Sequence, residues 1–256
     1  MTGRGVWVYA VGTAVEEPWL GKTRGVDGEP VRVVRDRGLA AVVGSVDLAR
    51  FGEDGLQRSL NDLDQLERIA RAHHDVVDAV ALRSAVAPTR LATIYEDDRA
   101  VRAMLQRHGD AFRSALQRVS GRQEWGVKGY VRAQPAPSAD QVTPASGTDY
   151  LRQRQAMLNA RNASRRSAVA AADAIHTRLR SIAVAARQHR PQDPHLTGDD
   201  RSMLLNGAYL VADDLADRFR EEVSSVAGAQ SELEVQLTGP WPPYSFTAVD
   251  DEGSRP

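Results

Sequence analysis

The sequence predicts an α+β protein with two domains, and three features of its 256 residues support that prediction. Residues 1–133 alternate short strand-like segments with amphipathic helical segments. Residues 134–149 are rich in Pro, Ser and Ala and lack periodicity, which is typical of a linker. Residues 150–246 begin with one long helical stretch and then alternate strand and helix, which indicates a second, α/β domain. We expect residues 247–256 to form a disordered tail.

In the first domain, some segments have the composition of strands and two have the spacing of helices. The strand segments are "GVWVYAV" (5–11), "VRVVRD" (31–36), "LAAVVGSV" (39–46), "APTRLATIY" (87–95) and "EWGVKGYVRA" (124–133). Arg37-Gly38, between the second and third of these, predicts a hairpin turn. Residues 60–83 and 96–121 each place apolar side chains on one face of a helix. The order β-β-β-α-β-α-β is typical of an open α+β sandwich related to the ferredoxin-like split βαβ arrangement.

The second domain starts with a helical stretch over residues 150–190, whose apolar seam has a spacing near 3.5 residues and predicts a helical hairpin or a short coiled coil. The seam consists of Ala168, Ala171 or Ala172, Ile175, Leu179, Ile182 and Ala186. Residues 149–190 carry nine Arg and only two acidic residues, so this helix presents either a solvated basic face or a partner-binding face. After it come a strand, a helix and a strand, which are "SMLLNGAYLVA" (202–212), "DDLADRFREEVSSVA" (213–227) and "SELEVQLTG" (231–239).

The composition excludes several classes of protein. The formal net charge is −1, so no strong field would attract nucleic acid or an anionic membrane. The chain has no Cys, which excludes disulfides, thiolate catalysis and Cys-ligated metal clusters. No apolar run approaches the ~18–20 residues that span a bilayer. We therefore expect a soluble, cytoplasmic protein with no nucleic-acid partner and no membrane partner.

The sequence contains no P-loop, G-x-G-x-x-G, H-E-x-x-H or G-x-S-x-G motif. Its best enzyme-like cluster is "HHDVVD", in which His74 and Asp78 are four residues apart and could share a ligand. His73 lies on the apolar face of the same helix, and we expect both histidines to be structural, with His74 at the surface. We therefore predict no catalytic residue, no cofactor and no metal. A metal-dependent enzyme that uses His73, His74 and Asp78 stays open as an alternative, as does nucleic-acid binding by the Arg-rich helix.

Secondary-structure propensity does not explain the segment "GPWPPYSF" at residues 239–246. Its three prolines fix φ and remove amide donors, so they end the preceding strand and impose a stiff, extended course. Side chains alternate along such a backbone, so we expect some of its three aromatic residues to pack inward and others to face outward. We predict a rigid strap that closes the C-terminal domain and leaves at least one aromatic ring for a partner. The candidate protein-binding residues are Trp241, Pro242, Pro243, Tyr244 and Phe246.

Five stretches, in order, resemble motifs of the GvpL/GvpF family of gas vesicle proteins. "GVWVYAV" is similar to the opening strand of that family, and "LTGPWPPYSF" (237–246) is similar to its ending. "HHDVVDAV" with "VAPTRLATIY" resembles a His-x-x-Val-Val helix and a Pro-x-Arg-Phe-Gly-Thr strand. "EWGVKGYV" and "LLNGAYLV" resemble Glu-Trp-x-Val-Lys and Leu-Asn-x-Ala-Tyr-Leu-Val strands. The chain departs from the family at Leu91-Ala92, where the motif has Phe-Gly, which suggests a different backbone or packing there.

The resemblance implies a non-enzymatic accessory or minor structural protein of gas vesicles, which are protein-walled, gas-filled compartments. It implies contact with the small hydrophobic major shell protein (GvpA-type) and with other gas vesicle accessory proteins. It also implies a first domain with a modified ferredoxin-like fold and a second, α/β domain with long helices. A rigid aromatic segment without a catalytic constellation suits a protein that binds an aggregation-prone apolar subunit during assembly. We expect a cytoplasmic protein located at the gas vesicle.

Overall fold

The structure, a computed structural model, describes residues 3–16, 20–53, 55, 62–132, 146–191 and 201–249. The strands are β1 (Arg4–Gly12), β2 (Arg32–Asp36), β3 (Leu39–Asp47), β4 (Val86–Pro88), β5 (Ile94–Tyr95), β6 (Arg122–Val131), β7 (Ala185–Gln188), β8 (Met203–Ala212) and β9 (Leu233–Trp241). The α-helices are α1 (Leu48–Phe51), α2 (Leu63–Ala81), α3 (Asp98–Arg107), α4 (Gly109–Val119), α5 (Gly147–Arg180) and α6 (Ala216–Ala229). The chain divides into two compact units, Met1–Glu124 with Trp241–Pro256 and Trp125–Pro240. Each unit combines helices with one sheet, as the predicted α+β class requires.

The sheet of the first unit has the order β2-β3-β1-β4, and β5 also pairs with β1. All of these pairs are antiparallel. β1 is buried over eight of its nine residues, because α2 covers one face of the sheet while α3 and α4 cover the other. A bulge at Tyr9 changes the alternation of side chains, so that Ala10 joins Trp7 and Tyr9 on the α2 side. β1 therefore contributes apolar side chains to two cores, one on each face of the sheet.

The predicted hairpin is confirmed, because β2 and β3 pair from Arg32–Val43 to Asp36–Leu39. Arg37 and Gly38 both have positive φ, at 45° and 76°. Two consecutive residues with positive φ form a type I′ turn, whose twist matches that of the flanking strands.

The segment at residues 87–95 was expected to form one strand, and that expectation is wrong. β4 and β5 are separate short strands that pair with successive parts of β1. Between them, Thr93 donates its backbone N–H to the carbonyl of Arg90, and Ala92 has a φ of 63°. A left-handed residue interrupts the extended backbone, and its position is the one at which the family motif carries Gly.

The helix expected over residues 96–121 is two helices, α3 and α4, which meet at His108. His108 has a φ of −104° and a ψ of 13°, so it leaves the helical region, and Gly109 follows it with a low helix propensity. Asp97 caps α3 by accepting the backbone N–H of Ala100 at 2.8 Å. α3 and α4 share one apolar pattern because both helices pack against the same face of the first sheet. The packed residues include Val101, Met104, Leu105, Phe112 and Leu116.

The sheet of the second unit has the order β7-β8-β6-β9. Its core lies against α5 and α6 and contains Trp125, Val127, Ile175, Leu179, Leu205, Tyr209, Phe219 and Leu233. β6 was expected to complete the first domain, but it lies between β8 and β9, and so the chain enters the second unit at Trp125 rather than at residue 150. Of the expected linker at 134–149, residues 134–145 lie outside the described residues. Ser146 caps α5 and Gly147 begins it.

The long helix is confirmed as α5, which has 34 residues, but it is not a helical hairpin. Ile182 and Ala186 lie beyond its end, and the chain continues into β7, which pairs antiparallel with β8. The seam is buried in the second half of the helix, at Ala168, Ala172, Ile175 and Leu179. Within the described ranges, no helix has the length and the apolarity that crossing a bilayer requires.

The left-handed Ala92 generates a stability prediction. A non-glycine residue at positive φ costs about 1–2 kcal/mol, whereas glycine costs about 0.5–1 kcal/mol in lost backbone entropy. We expect Ala92→Gly to raise the free energy of unfolding by about 0.5–1 kcal/mol, measured by urea denaturation. Ala79→Gly, inside α2, should instead lower it by about 1 kcal/mol. A loss of stability at both positions would contradict the assignment of backbone strain to Ala92.

Candidate functional site

The candidate site is the C-terminal aromatic segment, residues 241–247, which follows directly from β9. β9 extends to Trp241, two residues beyond the expected end at Gly239, which itself has a φ of 112°. Pro242 and Pro243 are buried, and Tyr244–Phe246 forms one turn of 3₁₀-helix. The segment is therefore a stiff extended stretch that ends in a tight turn.

The segment was expected to close the C-terminal domain, but it belongs to the first unit. Tyr244 packs against the core cluster that contains Trp7 and Val77, on the α2 side of the first sheet. Arg118 of α4 donates Nη1–H to the carbonyl of Phe246 at 3.0 Å. The segment follows β9 in the sequence, and we therefore expected it to belong to the second unit. Its buried contacts and its hydrogen bonds are instead made with residues of the first unit.

Glu124 anchors the segment through a buried carboxylate. Only 7% of Glu124 is exposed, and its two carboxylate oxygens accept separate hydrogen bonds from Ser245. The backbone N–H of Ser245 donates to Oε2 at 2.8 Å, and its hydroxyl donates to Oε1 at 2.6 Å. Hydrogen bonds to an ionised acceptor are stronger than neutral ones, and a buried carboxylate without them is costly. The pair therefore fixes the position of Ser245 on the first unit.

Local hydrogen bonds give the turn its shape. The hydroxyl of Thr247 donates to the carbonyl of Pro243 at 2.9 Å, and the backbone N–H of Phe246 donates to the same carbonyl at 3.1 Å. Thr247 is buried and Val249 packs against the α3 and α4 core, so the expected disordered tail does not begin at residue 247. Residues 250–256 lie outside the described part of the chain.

The three aromatic side chains of the segment differ in burial, although Tyr244 and Phe246 lie in the 3₁₀ turn and not on the extended backbone from which alternation was expected. Phe246 faces inward and is 2% exposed, Tyr244 is half-buried, and Trp241 is 43% exposed. Burial raises the pKa of the Tyr244 hydroxyl, and the nearby charges of Asp78 and Glu124 raise it further, so that this hydroxyl stays neutral. Trp241 is therefore the ring of the segment that solvent or a partner can reach.

His73 is a core residue of the first unit, as its place on the apolar face of α2 predicted. It is 3% exposed, and its Nδ1 accepts the indole N–H of Trp7 at 3.0 Å, which places the proton of the neutral ring on Nε2. Burial lowers the pKa of His73 from its ordinary 6.5 to about 4, although a backbone hydrogen bond with Thr89 opposes the shift. His73 is therefore neutral at pH 7.

His74 supports the aromatic segment, a role that the sequence did not indicate. Its ring meets that of Trp241 edge to face, with centroids 5.5 Å apart, and it stacks on that of Tyr244 at 6.2 Å. The side chain is half-buried rather than free at the surface. Sequence spacing placed His74 beside Asp78 as a ligand pair, whereas its contacts lie with rings more than 160 residues away.

In the part of the chain that the structure describes, no third ligand joins the pair His74 and Asp78, and His73 does not complete a metal site with them. Among the described residues, no three His, Asp or Glu side chains are grouped so that they could hold a metal ion. His73 is also occupied by its hydrogen bond to Trp7. The cluster therefore acts as a support for rings, and the absence of a bound metal stays a prediction.

Sequence reasoning missed the residues that hold the segment, namely Glu124, Ser245 and Arg118. Glu124 opens the apolar part of β6, where an acidic residue is unexpected, and Ser245 stands between two aromatic residues. Both oddities were visible in the sequence. Nothing in either position indicated that the two side chains pair across 121 residues of chain.

The Glu124–Ser245 pair can be tested with a double-mutant cycle. We expect Glu124→Ala and Ser245→Ala each to lower the free energy of unfolding and to show a coupling of about 1.5–3 kcal/mol, because they share charge-assisted hydrogen bonds. Urea denaturation of the two single variants and the double variant measures the coupling. Glu221→Ala, at an exposed position of α6, should change stability by less than about 0.5 kcal/mol. Additive effects of the two mutations would contradict the pair.

The lowered pKa of His73 predicts a specific pH dependence of stability. The unfolded chain binds a proton at this residue below pH 6.5, whereas the folded chain does so only below about pH 4. As the pH is lowered from 6.5 to about 4, the free energy of unfolding should therefore decrease by about 1.4 kcal/mol per pH unit. Above pH 6.5 this residue should not change it. His73→Gln, which keeps an acceptor for Trp7, should remove this slope, and His74→Gln should keep it. Parallel stability curves for wild type and His73→Gln, measured by denaturation from pH 4 to 8, would contradict the prediction.

The chain is similar to known proteins over nearly its whole length. Residues 5–248 match the family model described as "Gas vesicle synthesis protein GvpL/GvpF". The chain is 40% identical to gas vesicle protein L of Streptomyces sp. (strain CB03234), over 98% of this chain and 96% of that protein. It is 27% identical to gas vesicle protein L2 of Halobacterium salinarum, over 95% and 91% of the two chains.

Solved structures show the same fold at low sequence identity. The crystal structure of gas vesicle protein GvpF from Anabaena sp. PCC7120 matches with a TM-score of 0.70 at 16% identity, and covers 97% of this chain and 98% of that one. GvpF from Microcystis aeruginosa matches with a TM-score of 0.67 at 14% identity, over 96% and 99% of the two chains. The match extends over both units, including the C-terminal aromatic segment, and the chain belongs to the GvpL/GvpF family of gas vesicle synthesis proteins.

Proposed function

We propose that this protein is an accessory or minor structural protein that binds the hydrophobic shell subunit of gas vesicles (GvpA-type) and assists vesicle assembly. Family membership supports a role in gas vesicle formation. The observation that carries the finer proposal is the exposed ring of Trp241, which stands on a segment whose other parts are buried or hydrogen-bonded. Trp241 is the proposed contact for the shell subunit.

The rigidity of the segment suits it for binding. Ordering a loop on association costs free energy, and a backbone that is already fixed avoids most of that cost. Here the prolines, the Glu124–Ser245 pair and the Thr247 hydroxyl fix the backbone before any partner arrives. Tryptophan is also among the residues that contribute most to binding when they fill a pocket on a partner.

The contact with His74 fixes the direction of the Trp241 ring. An edge-to-face arrangement at 5.5 Å, with the ring planes at 62°, restricts rotation of the indole while it leaves part of the ring open. The remaining candidate residues take supporting roles in this proposal. Pro242, Pro243 and Phe246 are buried against the first unit, and Tyr244 is half-buried beside His74.

We propose a non-catalytic role, because the buried groups whose pKa is shifted have structural explanations. Burial raises the pKa of Tyr9 to about 12, and its hydroxyl accepts the backbone N–H of Val26. Burial also raises the pKa of Tyr209, whose hydroxyl bonds to His176. His73 accepts from Trp7. Each of these side chains has a structural role in a core. Structural sites perturb pKa values as catalytic sites do, so these shifts do not indicate an active site.

The contact can be tested by co-purification and titration with a GvpA-type shell subunit. We expect Trp241→Ala to weaken binding about tenfold or more, because it removes an exposed aromatic anchor, while the free energy of unfolding changes by less than about 1 kcal/mol. Phe246→Ala should instead destabilise the protein by about 3–5 kcal/mol, as the loss of a buried ring does. Binding is measured at a temperature at which both variants remain folded.

Leu82→Ala is the matched control, because Leu82 is an apolar side chain in the same unit and is 76% exposed. It should leave both stability and binding unchanged. If Trp241→Ala binds the shell subunit as well as wild type does, the contact surface lies elsewhere. If wild type itself does not bind the shell subunit, the proposed function is wrong.

A further inference from the structure

The first half of α5 extends away from the core of the second unit. From residue 148 to residue 167 every side chain is exposed except Gln153 and Ser164, which are half-buried. The first buried residue of the helix is Ala168. At 1.5 Å per residue this exposed half of α5, residues 148–167, is about 30 Å long. Because these side chains are exposed and are not packed against the core of the second unit, a partner can reach them.

The seam that packs the second half of α5 continues along the exposed half. Buried Ala168, Ala172, Ile175 and Leu179 are spaced four, three and four residues apart. Continued toward the N-terminus in steps of three or four residues, the same face of a straight α-helix passes through Ser164, Arg161, Met157, Arg154 and Tyr150. Residues with this spacing share one face of a helix. The face therefore changes from purely apolar to alternately apolar and basic, and Leu151 and Leu158 line its side.

The exposed half of α5 carries a strong local excess of positive charge. It contains five Arg, which are Arg152, Arg154, Arg161, Arg165 and Arg166, and one acidic residue, Asp149. Asp149 lies 3.6 Å from Arg152. The other four Arg form no ion pair with any described residue. The whole chain has a net charge of −1, so this excess is a local feature rather than a property of the protein.

We propose that the exposed half of α5 is a docking surface for an acidic, amphipathic α-helix of another protein. The partner helix packs apolar side chains against Tyr150, Met157 and the flanking Leu151 and Leu158. It places Asp or Glu side chains opposite Arg154 and Arg161. A second helix recognises apolar side chains that recur along one face of a helix, and charged side chains beside them select its partner and orientation.

The charge pattern argues against other occupants. A second copy of this helix would bring another five Arg and only one acidic residue to the surface, so repulsion between like charges opposes pairing. A membrane surface requires a continuous apolar face, but Arg154 and Arg161 lie between the apolar residues of this one. Nucleic acid would be attracted by the charges alone and has no use for Tyr150 and Met157 on the same face.

This surface is separate from the proposed contact at Trp241. It lies in the second unit and shares no residue with the C-terminal aromatic segment. Its partner has the opposite chemistry, since an acidic helix is recognised by charge and register, and a shell subunit by apolar contact. The two proposals can therefore fail independently, and Trp241→Ala should leave binding at α5 unchanged.

The test uses the full chain and a synthetic helical peptide of about three heptads, with Leu along its seam and Glu in the positions that flank it. Fluorescence anisotropy at about 0.15 M salt measures binding, where exposed charges more than ~8 Å apart are screened. We expect the double variant Arg154→Glu/Arg161→Glu to bind this peptide at least tenfold more weakly than wild type. The same variant should bind a peptide in which Lys replaces Glu, which wild type should not. Met157→Ser should weaken binding while it leaves the charges intact.

The matched control is Arg99→Glu/Arg102→Glu, which makes the same charge change at exposed positions of α3. It should bind the acidic peptide as wild type does. An equal loss in the control would mean that general charge attraction, and not this surface, binds the peptide. Failure of wild type to bind the acidic peptide would overturn the proposal. Tighter binding to duplex DNA or to phosphatidylserine vesicles through Arg154 and Arg161 would also overturn it, in favour of those partners.

Discussion

The first unit depends on the hydrogen bonds between the buried carboxylate of Glu124 and Ser245. This unit is made from two pieces of chain, and all of the second unit, Trp125–Pro240, is inserted between them. Glu124 is the last residue of the first piece, and Ser245 is the fifth residue of the second. A carboxylate that is 7% exposed requires hydrogen-bond donors. The backbone N–H and the hydroxyl of Ser245 each donate to one of its two oxygens. The returning chain therefore has one favourable position, and the places of Tyr244, Phe246 and Trp241 follow from it.

Sequence patterns predicted the elements whose shape is set by near neighbours in the chain. β1 was identifiable as a continuous apolar run, the hairpin from Arg37-Gly38, and α2 from apolar spacing that also assigned His73 to the core. In each of these cases a local rule of geometry, rather than a distant contact, decides the result.

The features that sequence did not predict are set by contacts that are distant along the chain. β6 has the same composition whichever sheet it joins, so its pairing with β8 and β9 cannot be read from its residues. The aromatic segment was assigned to the wrong unit for the same reason, because Glu124 gives no sign of its partner. The break between β4 and β5 is local, but Ala92 conceals it, since alanine rarely adopts positive φ and so carries no turn signal.

The two proposed surfaces suit a protein that handles an apolar subunit without aggregating itself. A large exposed apolar patch would bind a shell subunit, but it would also promote self-association. Trp241 offers one ring on a fixed backbone, so selectivity comes from the position of that ring rather than from apolar area. In the docking surface proposed for the exposed half of α5, the arginines would keep copies of the protein apart and attract a helix of opposite charge. Both proposed surfaces would thus gain binding from preorganisation or charge, and neither requires an apolar face large enough to cause aggregation.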